Sequence, residues 1–447
     1  MRVLISAVAA GLALVAASRG GQVPPIAALD QQTLRQYTGV YQWNPDGFVY
    51  LQMWDEFSGF GKPAQLVAFD ESGEVRTLYA IERDQFFSGP GMAVSASMES
   101  RVAFQRDTSG TIVSLAWVRN GGPPRTARRV DTEQREDVTF SNGNVRLAGT
   151  LLSPKGRGRR PALILVHGSG AENREYMLPW ARFLVRHGMA VLGYDKRGVG
   201  GSTGDWNSAS FDDLAGDVVA AFECLKTRSD IDGSHIGLLG LSQAGWVMPL
   251  AAVRAPGLNF LISISGAGVP ASETTIDQAR NEMTMTGTPP QVVDQIVRLM
   301  TLQYEFARTG RGWDEYAAAR ARVAARMPGP PPDSFPGTPD AAYWQFIRRL
   351  YFYDPAPTLR RLQVPTLGIW GGLDNNIMAE KNKAAWDAAL KAGGNRDYTL
   401  VVLPQGDHAQ FEAKTGSNAE TASLQRFVPT YFSTVRDWLA RRISTLK

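Results

Sequence analysis

The sequence predicts an α/β protein: a mostly parallel sheet flanked by helices, carrying a helical cap insertion and preceded by a small antiparallel β domain. Three observations lead there. Between residues 162 and 402 the strand-like runs are short, apolar and mostly separated by helical stretches, as parallel strands covered on both faces require. Residues 236–245 run from an apolar strand through small residues straight into a helix. Residues 30–135 are rich in glycine turns and short aromatic or β-branched runs, the pattern of antiparallel strands. At 447 residues and 44% apolar content the chain has ample material for a large core and is too long for one ordinary domain, so two are expected.

In chain order, Met1 and Arg2 precede an apolar run over 3–17 and then Ser18, Arg19, Gly20 and Gly21. A charged start, an apolar middle and small residues at the cut describe a secretory signal over 1–18, hence export from a bacterial cytoplasm to the periplasm or beyond. The run is shorter than the ~20 apolar residues of a spanning helix, and no later segment reaches that length, so a mature protein without a membrane span is expected. An uncleaved anchor at the same place is the alternative.

The β region includes 48–54 and 111–118, both aromatic and β-branched. After residue 136 the alternation of strands and helices begins with a hairpin turning at Asn142-Gly143, its second strand over 145–152. Core strands follow at 162–166, 190–194, 236–239, 260–264, 366–370 and 398–402. Ser210 with Asp213 three residues on forms a capping box for a helix over 211–225. Between Gly268 and about Leu362 the alternation stops: helices over 290–306 and 313–327, joined by the proline-rich stretch 328–339, give a cap at about 270–361. Its aromatics Trp344, Phe346, Tyr351, Phe352 and Tyr353 have two readings, the insertion's own core or an apolar lid over a ligand.

Ser242 sits at the turn of the 236–245 segment, where a strained backbone lifts a hydroxyl above the sheet edge and Gly240 and Ala244 leave room for strand and helix to approach. A serine hydroxyl is a poor nucleophile unless a base takes its proton and a third group orients that base. Of the four histidines, His167 lies in a turn directly after a strand, His187 ends a helix, and His235 precedes the strand leading to Ser242. Only His408 follows the last core strand, on the carboxyl edge it shares with Ser242. Asp374, directly after the 366–370 strand, reaches the same edge and is the candidate orienting acid. Asp407 competes, but it would reach the adjoining imidazole awkwardly, and Asp374 alone could equally cap the next helix. Acyl transfer also needs donors for an oxyanion; the backbone amides of Gln243, after Ser242, and of Ser169, in the 167–170 loop, are the candidates.

Composition bounds the rest. Net charge is +4 with acids and bases interspersed, and the basic run 155–160 reads as a solvated hairpin tip, so no nucleic-acid partner is implied. Cys224, the single cysteine, can form no intramolecular disulfide and reads as a small apolar helix residue. The glycine-rich loop 195–204 lacks dinucleotide spacing and reads as a structural turn, with Asp195 and Arg197 forming a local ion pair or bracing neighbouring loops. No metal or nucleotide motif is present, so no cofactor is expected.

Together the 167–170 loop, the 194–204 loop, the Ser242 turn, Asp374 and His408 resemble secreted bacterial carboxylesterases of the α/β-hydrolase superfamily, over roughly residues 137–447. The order Ser242, Asp374, His408 is the one that fold uses. The resemblance implies a Ser242 nucleophile, a His408 base, an Asp374 orienter, and an oxyanion hole from the Ser169 and Gln243 amides. It departs at Ala244, where the usual turn has glycine, and tighter packing is expected there. The pattern of Leu34, Tyr37, Gly39, Tyr41 and Trp43 is similar to small lipocalin-like β domains that accompany bacterial serine hydrolases. The implied substrate is a small-molecule carboxylic ester; amide cleavage, acyl transfer, or a binding protein that keeps the fold without turnover are the alternatives.

Overall fold

A computed structural model of the chain describes residues 24–54, 65–70, 72–95, 97–326, 334–444 and 446. The expected signal segment and residues 328–333 of the proline-rich stretch lie outside the described residues.

Eight antiparallel strands come first: β1 (Gly39–Asn44), β2 (Gly47–Met53), β3 (Leu66–Asp70), β4 (Val75–Glu82), β5 (Gln85–Ser88), β6 (Ser100–Arg106), β7 (Ile112–Arg119) and β8 (Arg125–Val130). They close into a barrel because β1 pairs with β2 on one side and with β8 on the other, Val40 opposite Val130. Alternate residues fill the lumen, with Val49, Leu51 and Met53 of β2 facing Leu66 and Ala68 of β3. Tyr37, Phe86 and Phe104 pack ring to ring there. The other face of the same strands is apolar too, since Phe48, Tyr50, Val67 and Phe69 share a second core with Trp180, Phe427 and Phe432 of the following domain. Burial on both faces is why β2 shows no polar alternation. Backbone bonds reinforce this docking: Val75 N–H donates to Gln425 O, and Phe427 N–H to Gly73 O, at 2.9 Å each.

The second sheet has eight strands in the order β16-β15-β14-β13-β11-β12-β10-β9. They are β9 (Glu133–Asn142), β10 (Val145–Pro154), β11 (Arg160–Val166), β12 (Ala190–Tyr194), β13 (Ile231–Leu241), β14 (Phe260–Ile264), β15 (Thr366–Gly371) and β16 (Tyr398–Leu403). The first two are antiparallel; β11 to β16 run parallel. Asn142 turns out to be the last paired residue, opposite Val145, so the hairpin loop is Gly143-Asn144, with Gly143 at φ +55°. The register follows from turn chemistry, because the first position of this two-residue loop needs a left-handed backbone. The new sheet begins at Glu133, a few residues before the change of pattern in the sequence.

Along β11, Leu163 and Leu165 face helices Leu178–Arg186 and Tyr431–Ala440, whereas Ala162, Ile164 and Val166 face helices Phe211–Lys226, Ala244–Ala252 and Ala379–Ala392. The capping box at Ser210 forms in both directions, with Asp213 N–H donating to Ser210 Oγ and Ser210 N–H to Asp213 Oδ2. Between β14 and β15 the chain makes helices Ala271–Met285, Pro290–Thr309, Trp313–Ala324, Tyr343–Leu350 and Ala356–Arg360. Trp344 is buried against Phe306 and Tyr316, at ring separations of 4.8 and 5.4 Å, and Tyr351 packs on Tyr304; these two aromatics serve the insertion's own core.

β11 and β13 are neighbours, but the connection out of β11 runs to β12 on one side of the pair and that out of β13 to β14 on the other. The loops after β11, β12 and β13 therefore converge at a topological switch point, where open sheets of this type bind ligands.

Candidate active site

Ser242 directly follows β13 and, with Gln243, forms the turn into helix Ala244–Ala252; its φ is +60°. A non-glycine residue in that region costs on the order of 1–3 kcal/mol, which the surroundings must over-determine. Here Ser242 N–H donates to Ile264 O on β14 (2.9 Å) and Ser242 O accepts from Gly245 N–H (2.9 Å). The departure at Ala244 is accommodated by Gly240: a Cβ on Gly240 would lie 2.4 Å from Ala244 Cβ and 2.8 Å from Val166 O. The missing glycine is thus offset two residues before the serine. Gly245 supplies the other close approach, since a Cβ there would fall 2.5 Å from Ala267 N and 2.7 Å from Gly266 Cα. Both obstacles are backbone, so Gly245→Ala is expected to destabilise the protein by about 1–3 kcal/mol, read as a lower denaturant midpoint at unchanged m-value.

Asp374 and His408 are brought together by backbone. A Cβ on Gly371, at the end of β15, would meet Asp407 O and Gly406 O at 2.3 Å, so glycine lets the 405–408 loop cross directly over that strand end. Gly372 N–H donates to Leu403 O and Leu373 N–H to Gly406 O, at 2.8 and 2.9 Å. His408 Nδ1 then lies 3.0 and 2.9 Å from the two oxygens of Asp374. A carboxylate only accepts, so Nδ1 carries the proton and the Nε2 lone pair is left for another partner. Asp374 is buried, its Oδ1 also accepting from Asn376 N–H and Ile377 N–H at 2.8 Å each. Burial lowers the His408 pKa, but the charge and hydrogen bond of Asp374, with Asp407 adding to them, outweigh it and the net shift is upward.

Among the described residues no hydrogen bond joins the Asp407 carboxylate to the imidazole, although its charge acts on it. Its Oδ1 accepts from Ala409 N–H (2.9 Å) and Phe411 N–H (2.8 Å), bracing the turn, and burial pushes its pKa up to about 7. Three residues on, Gln410 adopts φ +69° and its Nε2 donates to Ser265 Oγ (2.9 Å), tying the histidine loop to the end of β14 beside Ser242. No hydrogen bond joins Ser242 Oγ to His408 among the described residues; such pairs are often loose before substrate tightens them.

The 167–170 loop follows β11. Gly168 N–H donates to Glu172 Oε2 (2.8 Å), and the Lys196 ammonium donates to Gly168 O (2.7 Å), Gly170 O (3.0 Å) and Gln243 Oε1 (3.1 Å). The Ser169 and Gln243 amides have no acceptor among the described residues. Neither Glu172 nor Lys196 is singled out by the sequence, which carries no local signal that a lysine in a glycine-rich loop is buried.

The remaining candidates separate cleanly. His167 Nε2 donates to Tyr194 O at 2.6 Å, and burial together with the charge of Lys196 brings its pKa down to about 3. His235 pairs with Asp232 on the amino half of β13, and His187 caps helix Leu178–Arg186. Asp195 and Arg197 do not pair with each other: Asp195 binds Arg174 (2.8 Å) and Gly201 N–H (2.8 Å), while Arg197 binds Asp217 (2.7 Å). Asp195 thereby braces the loop that carries Arg174, and Arg197 ties its own loop to helix Phe211–Lys226. Burial pushes the Cys224 thiol up, away from nucleophilic character.

Residues 163–422, more than half of the chain, match the alpha/beta hydrolase family. Esterase EstD of Thermotoga maritima is 27% identical over 288 residues, 62% of this chain and 61% of EstD. An uncharacterized protein of Mycobacterium tuberculosis is 32% identical over 142 residues, 32% of this chain and 49% of that protein. The chain thus spans less than two thirds of the length of either relative. Among solved structures, the Pyrococcus furiosus esterase Pf2001 superposes with a TM-score of 0.44 at 16% identity, covering 69% of this chain and 91% of its own. The alpha/beta hydrolase GrgF from Penicillium sp. sh18 gives 0.45 at 16%, covering 70% and 99%. With a mixed, mostly parallel sheet and a serine at its strand-to-helix turn, this chain belongs to the alpha/beta hydrolase family.

Proposed function

We propose that this protein is a serine hydrolase that cleaves carboxylic esters through an acyl-enzyme. The observation that carries the reading is the Nδ1–H of His408 held on both oxygens of buried Asp374, on the sheet edge where Ser242 is lifted at φ +60°. Ser242 Oγ attacks the ester carbonyl carbon as His408 Nε2 takes its proton. The carbonyl oxygen becomes an oxyanion facing the Ser169 and Gln243 amides, donors with no acceptor of their own among the described residues. Collapse of the tetrahedral intermediate breaks the C–O bond, and His408 returns the proton to the departing alcohol. Water, activated by the same nitrogen, then attacks the acyl-enzyme and releases the acid. Similarity to EstD supports an ester as the bond attacked. A panel of p-nitrophenyl esters beside aminoacyl amides tests this: esters are turned over, and hydrolysis of amides alone would overturn the reading.

The pH dependence follows from the direction of the His408 shift. The base works only when neutral, so protonation removes activity as pH falls. Because the pKa is raised above the ordinary 6.5, the acid limb of kcat/KM is expected to have its midpoint above that value. Asp407, itself pushed up to about 7, is only partly ionised across that limb, so Asp407→Asn withdraws a partial charge and should move the limb slightly to lower pH while its side-chain oxygen keeps the two backbone bonds. A pH–rate profile of both proteins is the measurement.

A further inference from the structure

We propose that Lys196 is a positioning residue for the oxyanion hole, its ammonium locking the loop after β11 and the turn after β13 into one donor set; this deepens the esterase reading and rests on it.

The argument begins with what the ammonium touches. Lys196 leaves the end of β12, next to β11 in the sheet, and is 2% exposed. Burying an ammonium costs several kcal/mol unless its three N–H groups are all used. Here three acceptors match the three donors: Gly168 O at 2.7 Å, Gly170 O at 3.0 Å and Gln243 Oε1 at 3.1 Å. The Trp206 ring lies 5.8 Å away, and burial brings the pKa down to about 8 against the opposing charges of Glu172 and Asp217, so the group is mostly charged at neutral pH.

The first contact is decisive. Gly168 C=O and Ser169 N–H are the two ends of one planar peptide and point in opposite directions. A cation fixed on that oxygen sets where the Ser169 N–H aims and polarises the peptide so that it donates more strongly. Glu172 fixes the preceding N–H, that of Gly168, at 2.8 Å, and the bond to Gly170 O holds the far side of the loop. The third contact reaches across to the residue whose backbone amide is the other proposed donor. A lysine serving only to fill space would have no reason to spend all three donors on these two segments. The geometry also excludes arginine, whose planar fork cannot address three acceptors around one nitrogen.

The test uses the full chain with p-nitrophenyl butyrate and a trifluoromethyl ketone of the same acyl part, which binds as a hemiketal oxyanion. Lys196→Met keeps the stem and removes the charge. It is expected to lower kcat by on the order of 10²-fold, the scale of misplacing rather than deleting reacting groups, with KM within about threefold of wild type. The ketone's inhibition constant should rise by a similar factor. Gln243→Leu keeps the Gln243 amide and removes one anchor; it should weaken ketone binding less, and add little in the Lys196→Met background. Activity and ketone affinity of Lys196→Met within twofold of wild type overturn the proposal, as does a loss of kcat with unchanged ketone affinity. Should Lys196→Met not fold, Gln243→Leu decides by the same ketone measurement: weaker binding supports the proposal and unchanged binding overturns it. A wild-type protein that neither hydrolyses esters nor reacts with a fluorophosphonate at Ser242 removes the esterase reading and this proposal with it, whereas an active wild type with an indifferent Lys196 removes only the latter.

Discussion

Ser242→Ala is expected to lower kcat for ester hydrolysis by on the order of 10⁶-fold, with the fold intact and fluorophosphonate labelling abolished. In the proposed mechanism the oxygen removed is the atom that forms the covalent bond to the acyl group. His408 without a nucleophile can only activate water, and the oxyanion donors left behind account for a residual rate above the uncatalysed one. Stability should hold or rise, because alanine keeps the backbone bonds of residue 242 to Ile264 and Gly245. Mass spectrometry of the labelled peptide together with burst kinetics checks this. A variant that retains more than about a hundredth of wild-type turnover would place the nucleophile elsewhere.

Asp374→Asn should cost about 10⁴-fold in kcat with little change in KM, although it exchanges one atom. The reason lies in the other bonds of the carboxylate. Its Oδ1 already accepts the N–H groups of Asn376 and Ile377, so an asparagine must turn its carbonyl oxygen to them and present its NH₂ to the imidazole. Two donors cannot face each other. His408 Nδ1 would have to give up its proton, the proton would sit on Nε2, and the lone pair that accepts the Ser242 proton would be lost. Removing the charge also withdraws one of the two carboxylates that raise the His408 pKa, so what activity remains should persist to lower pH. The measurements are steady-state kinetics over pH and the imidazole tautomer by nitrogen NMR. Activity within tenfold of wild type would shift the orienting role to Asp407, whose carboxylate is now occupied with the amides of Ala409 and Phe411.

Much of this arrangement was legible from local pattern. The strands at 190–194 and 260–264, the helix start at Ser210 and the turn at Ser242 each depend on residues within a few positions of one another. Such features can be read one segment at a time. The placement of Asp374 and His408 on one edge also followed locally, since each directly succeeds an apolar strand and parallel strands end on the same side.

Other features have no local signature. The apolar outer face of the barrel, with Phe48, Tyr50 and Phe69, could be told from its lumen face only once the strands had closed and docked on Trp180 and Phe432. Asp195 and Arg197, two residues apart in sequence, found separate partners, Arg174 in the loop after β11 and Asp217 on helix Phe211–Lys226.

By itself, then, the sequence determined the α/β class, the order of the three candidate residues and the edge on which they lie, all consequences of hydrophobic period and chain order. Only the tertiary structure decided which acid meets the imidazole, why Ala244 is tolerated and that Lys196 is buried between two loops. Those depend on the order in which strands lie side by side, set by packing across the whole sheet, and no single segment carries that information.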